Sequence, residues 1–258
     1  MAKQPCIHVG TSGWHYRHWV GPFYPMGTRP GAFLDYYARH FATAEINNSF
    51  YKLPKPEMLA AWRDQTPGGF IFACKGSRFT THMKKLKDPK ESARLFFDVI
   101  EALEDKTGPI LFQLPPRWQV NIERLRAFLD ALPQKHRYAF EFRDESWFAP
   151  EVYDALAKRG AAFCLYDLAG RQSPIEVTAD FIYVRLHGPG GAYHGSYDDR
   201  ALAAWTKRFL AWRKAGKEVY CYFDNDEKGY AAQDAKRLRD RIRASARRTS
   251  PSTDARRR

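Results

Sequence analysis

Apolar and β-branched residues gather into eight short runs, at 6–14, 43–51, 70–77, 109–114, 137–143, 161–168, 181–187 and 218–224. Several are almost unbroken, such as Ile110-Leu111-Phe112 and Phe181-Ile182-Tyr183-Val184. A strand apolar on both faces is one covered on both faces, the habit of parallel strands under helices. Between the runs the apolar spacing changes to three and four, which predicts helices over 30–40, 55–65, 89–105, 121–132, 150–159, 198–215 and 229–246. Leu95, Phe96, Val99, Ile100 and Leu103 share one helical face. Ile122, Leu125, Phe128, Leu129 and Leu132 share another, opened by Asn121 as N-cap. Gly160 and Gly216 close two of the helices. The segment 169–180 breaks the alternation, since it contains Pro174 and shows no helical period.

Strict alternation of this kind predicts an α/β protein: a single (β/α)8 barrel of TIM type over 1–244, with one irregular βα connection at about 169–180. An open doubly wound sheet is the alternative, but no Gly-x-Gly-x-x-Gly follows the first run. In a barrel the C-terminal strand ends form the active face, and polar residues concentrate there. They are Trp14, Glu45, Asn47, Lys75, Gln113, Glu141, Arg143, Asp167, Arg185, His187, Asp224 and Asn225, with Arg78 in the loop beyond Lys75. The period of two puts Glu45, Asn47 and Ser49 on one face, Glu141 with Arg143, and Tyr183 with Arg185 and His187. Such residues form either a self-satisfying ion-pair network or a polar cleft for a ligand. The cleft reading makes Glu45, Glu141 and His187 the candidate acid–base residues and the others candidate substrate contacts.

The segment 75–87 is the densest basic stretch of the body. Lys75 and Arg78 are read as anion binders there, and Lys84, Lys85 and Lys87 as a solvated face. Rim aromatics, among them Trp14, Tyr16, Trp118 and Tyr193, suit either ligand stacking or loop packing. The glycine-rich segment after His187 reads as a plain loop or a mobile lid. A divalent metal is the weaker expectation. Glu45, Glu141, Asp167, His187 and Asp224 are hard ligands, but Lys75, Arg143 and Arg185 interleave with them.

Composition narrows the class. A chain of 258 residues with 44% hydrophobic and 15% aromatic residues buries a large core without staples. No apolar run reaches membrane-spanning length and no secretory signal opens the chain, so a cytoplasmic location is expected. Cys6, Cys74, Cys164 and Cys221 are far apart and read as buried reduced thiols. The net charge is +13, of which the segment 236–258 carries +8 through ten Lys/Arg against two acids. The segment 245–258 lacks large apolar residues and is predicted to be a disordered basic tail, either merely solvated or attracted to nucleic acid.

The motifs resemble the YecE-like family, also called domain of unknown function 72. They include Gly10-Thr-Ser-Gly-Trp14, Glu45-Ile-Asn-Asn-Ser-Phe-Tyr51, Lys75-Gly-Ser-Arg-Phe-Thr-Thr-His82, Glu141-Phe-Arg143, Tyr183-Val-Arg-Leu-His-Gly188 and Tyr222-Phe-Asp-Asn-Asp226, within a similarity over about 7–238. The resemblance implies a TIM-type barrel and no particular reaction. From the residues, the leading expectation is an enzyme acting on an anionic or polyhydroxylated ligand, such as a sugar phosphate or nucleotide-like compound. A nucleic-acid-binding protein and a non-catalytic binder are the other two.

Overall fold

A computed structural model describes residues 5–249. Its strands are β1 (Ile7–Thr11), β2 (Thr43–Ile46), β3 (Ile71–Lys75), β4 (Thr107–Gln113), β5 (Tyr138–Glu141), β6 (Ala162–Leu168), β7 (Arg171–Gln172), β8 (Phe181–Leu186) and β9 (Glu218–Phe223). All but β7 run parallel, in the order β1-β9-β8-β6-β5-β4-β3-β2. Helices α1 (Phe33–His40), α2 (Asn48–Tyr51), α3 (Pro56–Gln65), α4 (Pro89–Ile100), α5 (Ile122–Ala131), α6 (Pro150–Arg159), α7 (Asp199–Lys214) and α8 (Tyr230–Thr249) lie between and after them.

The result is a nearly closed eight-stranded barrel, as the alternation predicts. Closure between β1 and β2 is unusual. Ser12 bridges to Glu45, and the Gly13 amide donates to the Glu45 carbonyl at 2.8 Å. Below that point the Tyr37 hydroxyl fills the seam. It accepts from the Thr11 amide and donates to the Thr43 carbonyl, both at 2.9 Å. Gly10 permits the close approach, because a Cβ there would stand 2.2 Å from the Thr43 carbonyl oxygen.

Outward strand residues such as Phe72, Ile110, Phe140, Val184 and Val219 join Phe96, Phe128, Leu156, Trp205 and Leu238 of the helices in the larger core. Each such side chain contributes about 1.5–3 kcal/mol by burial. The barrel interior holds a second core in which Ala73, Ala139 and Ala162 make room for Phe181, Tyr183, Tyr220 and Tyr222. The expected gap at 169–180 is real. Ala169 (φ 54) and Gly170 (φ 75) form a two-residue turn, and β7 pairs antiparallel with the end of β6.

Three expectations change. The second run ends as a strand at Ile46, because Asn47 turns to helical angles and α2 follows. The Ser49 hydroxyl donates to the Lys75 carbonyl at 2.6 Å, which fixes that turn, so Ser49 no longer shares a strand face with Glu45. Cys6 is exposed, standing before β1 at the barrel's lower rim, whereas Cys74, Cys164 and Cys221 are buried and free. The final helix runs to Thr249, into the segment expected as tail; the rest of that segment, 250–258, lies outside the described residues.

Candidate active site at the barrel mouth

Inward positions carry aromatic or small side chains at mid-barrel and charged ones at the top. Tyr183 leads to Arg185 and His187, Ala73 to Lys75, Ala139 to Glu141, and Tyr222 to Asp224. Parity alone therefore delivers three carboxylates, two guanidinium groups, an imidazole and an amine to one place.

Arg185 is the hub and is fully buried. Its Nε donates to both Glu45 oxygens at 3.1 Å, and its Nη1 to Glu141 Oε2 at 3.0 Å. Its Nη2 reaches Glu45 Oε1 at 2.8 Å, and Asp224 Oδ2 and Ser12 Oγ each at 3.0 Å. No donor is left over. Glu45 is equally saturated, since the Ser12 hydroxyl and the Tyr183 hydroxyl (2.7 Å) also donate to it.

Glu141 pairs with Arg143 and Arg185. Burial pushes its carboxyl up, but the two guanidinium charges outweigh burial and hold it well below the usual range. Asp224 is likewise raised by burial and brought below its ordinary value by Arg185 and His187. His187 Nδ1 lies 3.0 Å from Asp224 Oδ2, while guanidinium groups of Arg143 (2.9 Å) and Arg185 (3.4 Å) face Nε2. Guanidinium nitrogens only donate, so Nε2 accepts and the tautomer carries its proton on Nδ1.

Two cations keep unused donors. Arg143 stacks on Tyr166, 4.8 Å from its ring, and uses Nη2 on His187 and Glu141. Its Nε is buried without a hydrogen-bond partner. Lys75 is 8% exposed, and its ammonium lies 4.3 Å from the Phe50 ring centroid. Among the described residues, no carboxylate comes within ion-pair distance of it. Burial, then the charge of Arg185, pushes its amine down to about 8.

Arg143 borders a cleft of about 620 Å³ walled by Gln113, Tyr166, Arg171, Gln172 and Tyr193. The Tyr193 ring stands edge-on to His187 with centroids 5.6 Å apart. Tyr166, Arg171 and Gln172 are absent from the sequence-based site. The inward parity of Cys164 and Tyr166 was the available signal for the first, while the aperiodic segment around β7 hid the other two.

Other expected residues fall elsewhere. Asp167 and Asn225 each lie one position off the inward parity. Asp167 accepts from Gln172 at 3.1 Å, and burial raises its carboxyl. Asn225 donates to the Gly195 carbonyl and to Asp234, at 2.8 and 2.9 Å, and so ties the loop after β8 to α8. Arg78 is exposed and joins no part of the network. Trp14 is a core residue, edge-on to Trp62 at 4.9 Å. One side of it lines a second cleft of about 390 Å³ with Asn47, whose amide donates to Ser12 at 2.5 Å.

Among the described residues, no group of three or more His, Cys, Asp or Glu is arranged to hold a metal ion. No described helix is long and apolar enough to cross a membrane.

Comparison with known proteins gives a consistent picture. Residues 8–257 match the family described as protein of unknown function DUF72. The UPF0759 protein YecE of Escherichia coli is 31% identical over 155 residues, 60% of this chain and 54% of that protein, so the similarity spans about half of its length. The UPF0759 protein YunF of Bacillus subtilis is 25% identical over 90% of this chain and 93% of its own. The crystal structure of a DUF72 family protein from Thermotoga maritima superposes with a TM-score of 0.84 at 29% identity, covering 92% of this chain and 99% of that one. One from Enterococcus faecalis, at 19% identity and 92% and 95% coverage, gives 0.77 and speaks for the fold alone.

Proposed function

The chain belongs to the DUF72 family, and we propose that it is an enzyme acting on a small anionic or polyhydroxylated ligand held at the barrel mouth. The observation that carries this reading is the pair of under-used cations. Arg185 is saturated by protein carboxylates, whereas Arg143 Nε and the Lys75 ammonium have no hydrogen-bond partner. Arg143 has Glu141 as its counter-ion but leaves a buried donor unused. Lys75 is buried with no carboxylate at ion-pair distance among the described residues. Such groups are costly to desolvate, and an anionic ligand offsets that cost. The cleft that Arg143 borders, about 620 Å³, lies within the ordinary size of small-molecule sites. Its amides and tyrosine rings suit a sugar phosphate or a nucleotide-like compound.

In this reading Glu45 and Glu141 are counter-ions that aim the guanidinium groups rather than acids or bases. Proton transfer falls to His187, whose Nε2 becomes available when Arg143 turns from it toward the ligand. Three buried free thiols support a reducing, cytoplasmic setting.

Calorimetric titration with inorganic phosphate and with a sugar phosphate tests the proposal. Wild type is expected to bind. Lys75→Ala and Arg143→Ala are each expected to bind about tenfold or more weakly, the worth of one charge-assisted hydrogen bond, with circular dichroism unchanged. No binding by wild type across the millimolar range would refute it.

A further inference from the structure

The mouth holds three carboxylates, Glu45, Glu141 and Asp224, and Arg185 engages all three. Lys75 stands among them without one. Its stem is fixed by β3, its residue is 8% exposed, and its ammonium lies over the Phe50 ring, 4.3 Å from the centroid. The groups facing it come from every neighbouring element. Arg185 of β8 opposes its charge, while Glu141 of β5, Asp224 after β9 and Glu45 of β2 favour it. His82, in the turn after β3, is itself pushed down to about 4 by burial and by the charge of Lys75. A desolvated amine denied its own counter-ion keeps a larger neutral, nucleophilic fraction than an exposed lysine while still carrying charge enough to attract an anion.

We propose that Lys75 forms an imine with the substrate, whose class is an anionic aldehyde or ketone, such as a 2-oxo acid or a phosphorylated sugar in its carbonyl form. This rests on the anion-binding reading above and names the substrate class of that same site. The Nζ lone pair adds to the carbonyl carbon, and the C=O π electrons take up a proton at oxygen. The carbinolamine then loses that oxygen as water. The two hydrogens of the neutral amine leave with it, and a C=N bond remains. No oxidant or reductant takes part. Protonation of the imine draws electrons from the adjacent carbon, which is the use of such an intermediate, while Arg143 holds the anionic group.

The test uses glyoxylate, a small molecule carrying both an aldehyde and a carboxylate, with cyanoborohydride to trap the imine. The full chain is treated at pH 7 and its peptides are followed by mass spectrometry over time. At pH 7 about a tenth of Lys75 is unprotonated for an amine at about 8, against well under ~0.1% for an exposed lysine. Carboxymethylation of Lys75 is expected to run roughly tenfold or more faster than at the exposed Lys52, Lys85 and Lys87, and to slow when phosphate is added. Lys75 reacting no faster than those three would overturn the imine. Lys75→Arg separates the two readings, because it keeps a cation and loses the nucleophile. Phosphate binding by wild type and Lys75→Arg, without preferential labelling of wild type, removes the imine and leaves the anion site standing. Absence of phosphate binding removes both.

Discussion

Lys75 and Lys106 are equally buried, each 8% exposed, and their surroundings are opposite. Lys106 ends the 3-10 turn that links α4 to β4, and its ammonium closes the C-terminus of α3. It donates to the Arg63 carbonyl at 2.5 Å, the Thr66 carbonyl at 2.6 Å and the Thr66 hydroxyl at 3.0 Å. A cation at a helix C-terminus satisfies orphaned carbonyls and complements the helix dipole. Lys75, at the other end of the barrel, faces an aromatic ring and, among the described residues, its ammonium has no hydrogen-bond partner. Burial is thus the same for a lysine whose donors the protein uses and for one whose donors it leaves unused. The distinguishing quantity is how many of the three N–H donors the protein itself uses.

Arg185 is the extreme of the satisfied kind and gives the largest expected effect. Arg185→Met leaves Glu45, Glu141 and Asp224 buried without their common partner. A cost of about 3–5 kcal/mol is expected, read as a fall of roughly 10 °C in Tm. An unchanged Tm would show that the carboxylates find water or take up protons at no cost.

The two lysines give the next effect, with opposite signs. Lys106→Met orphans three acceptors and is expected to destabilise by about 2–3 kcal/mol. Lys75→Met removes an unpaired charge and is expected to stabilise by about 1–3 kcal/mol at pH 7. The sign follows from the depressed amine. Below pH 8 both folded and unfolded chains are protonated, and the full penalty applies. As pH rises from about 8 toward 10.5 the folded chain loses this proton first, so wild type gains stability and the advantage of Lys75→Met disappears. Thermal scans of both variants at pH 7 and pH 10 measure this. Equal losses from the two substitutions would erase the distinction drawn between the sites.

The lower end of the barrel gives the smallest effect. There Glu218 accepts from Arg137, and its carboxylate lies 2.7 Å from His8 Nε2. The hydrogen bond with His8 is the largest influence; with Arg137 it outweighs burial and holds the carboxyl at about 2. A depressed carboxyl contributes stability above its unfolded value that is lost as pH falls toward about 2. The Glu218 side chain is 25% exposed, so screening leaves about 1 kcal/mol. Glu218→Gln should therefore narrow the stability difference between pH 5 and pH 2.5 by about that amount. An unaltered acid limb would mean that the charge is idle.

The barrel and most of the mouth were legible because both follow from a period of two. Glu45, Lys75, Glu141, Arg143, Arg185, His187 and Asp224 converge as strand parity requires. The same parity places Asp167 and Asn225 on the outer side, where they fasten Gln172 and the loop after β8. Parity failed at Ser49, because the polar run after Ile46 turns into α2. What no pattern along the chain encodes is pairing. That Arg185 spends every donor on protein while Lys75 spends none depends on five strands, β2, β3, β5, β8 and β9, meeting in space. Arg171 and Gln172 were hidden for a different reason, lying in a hairpin too short to show any period.

The central claim is that the mouth reserves Lys75 and Arg143 for an external anion. A crystal structure of the wild-type chain grown in phosphate and repeated with tungstate tests it most directly, since the heavy atom marks the anion unambiguously. The account predicts one oxyanion within hydrogen-bond distance of both the Lys75 ammonium and the Arg143 guanidinium, with Arg185 still bound to its three carboxylates. An anion found only on surface arginines, or a mouth in which Lys75 has turned to pair with Glu141 or Asp224, would contradict it.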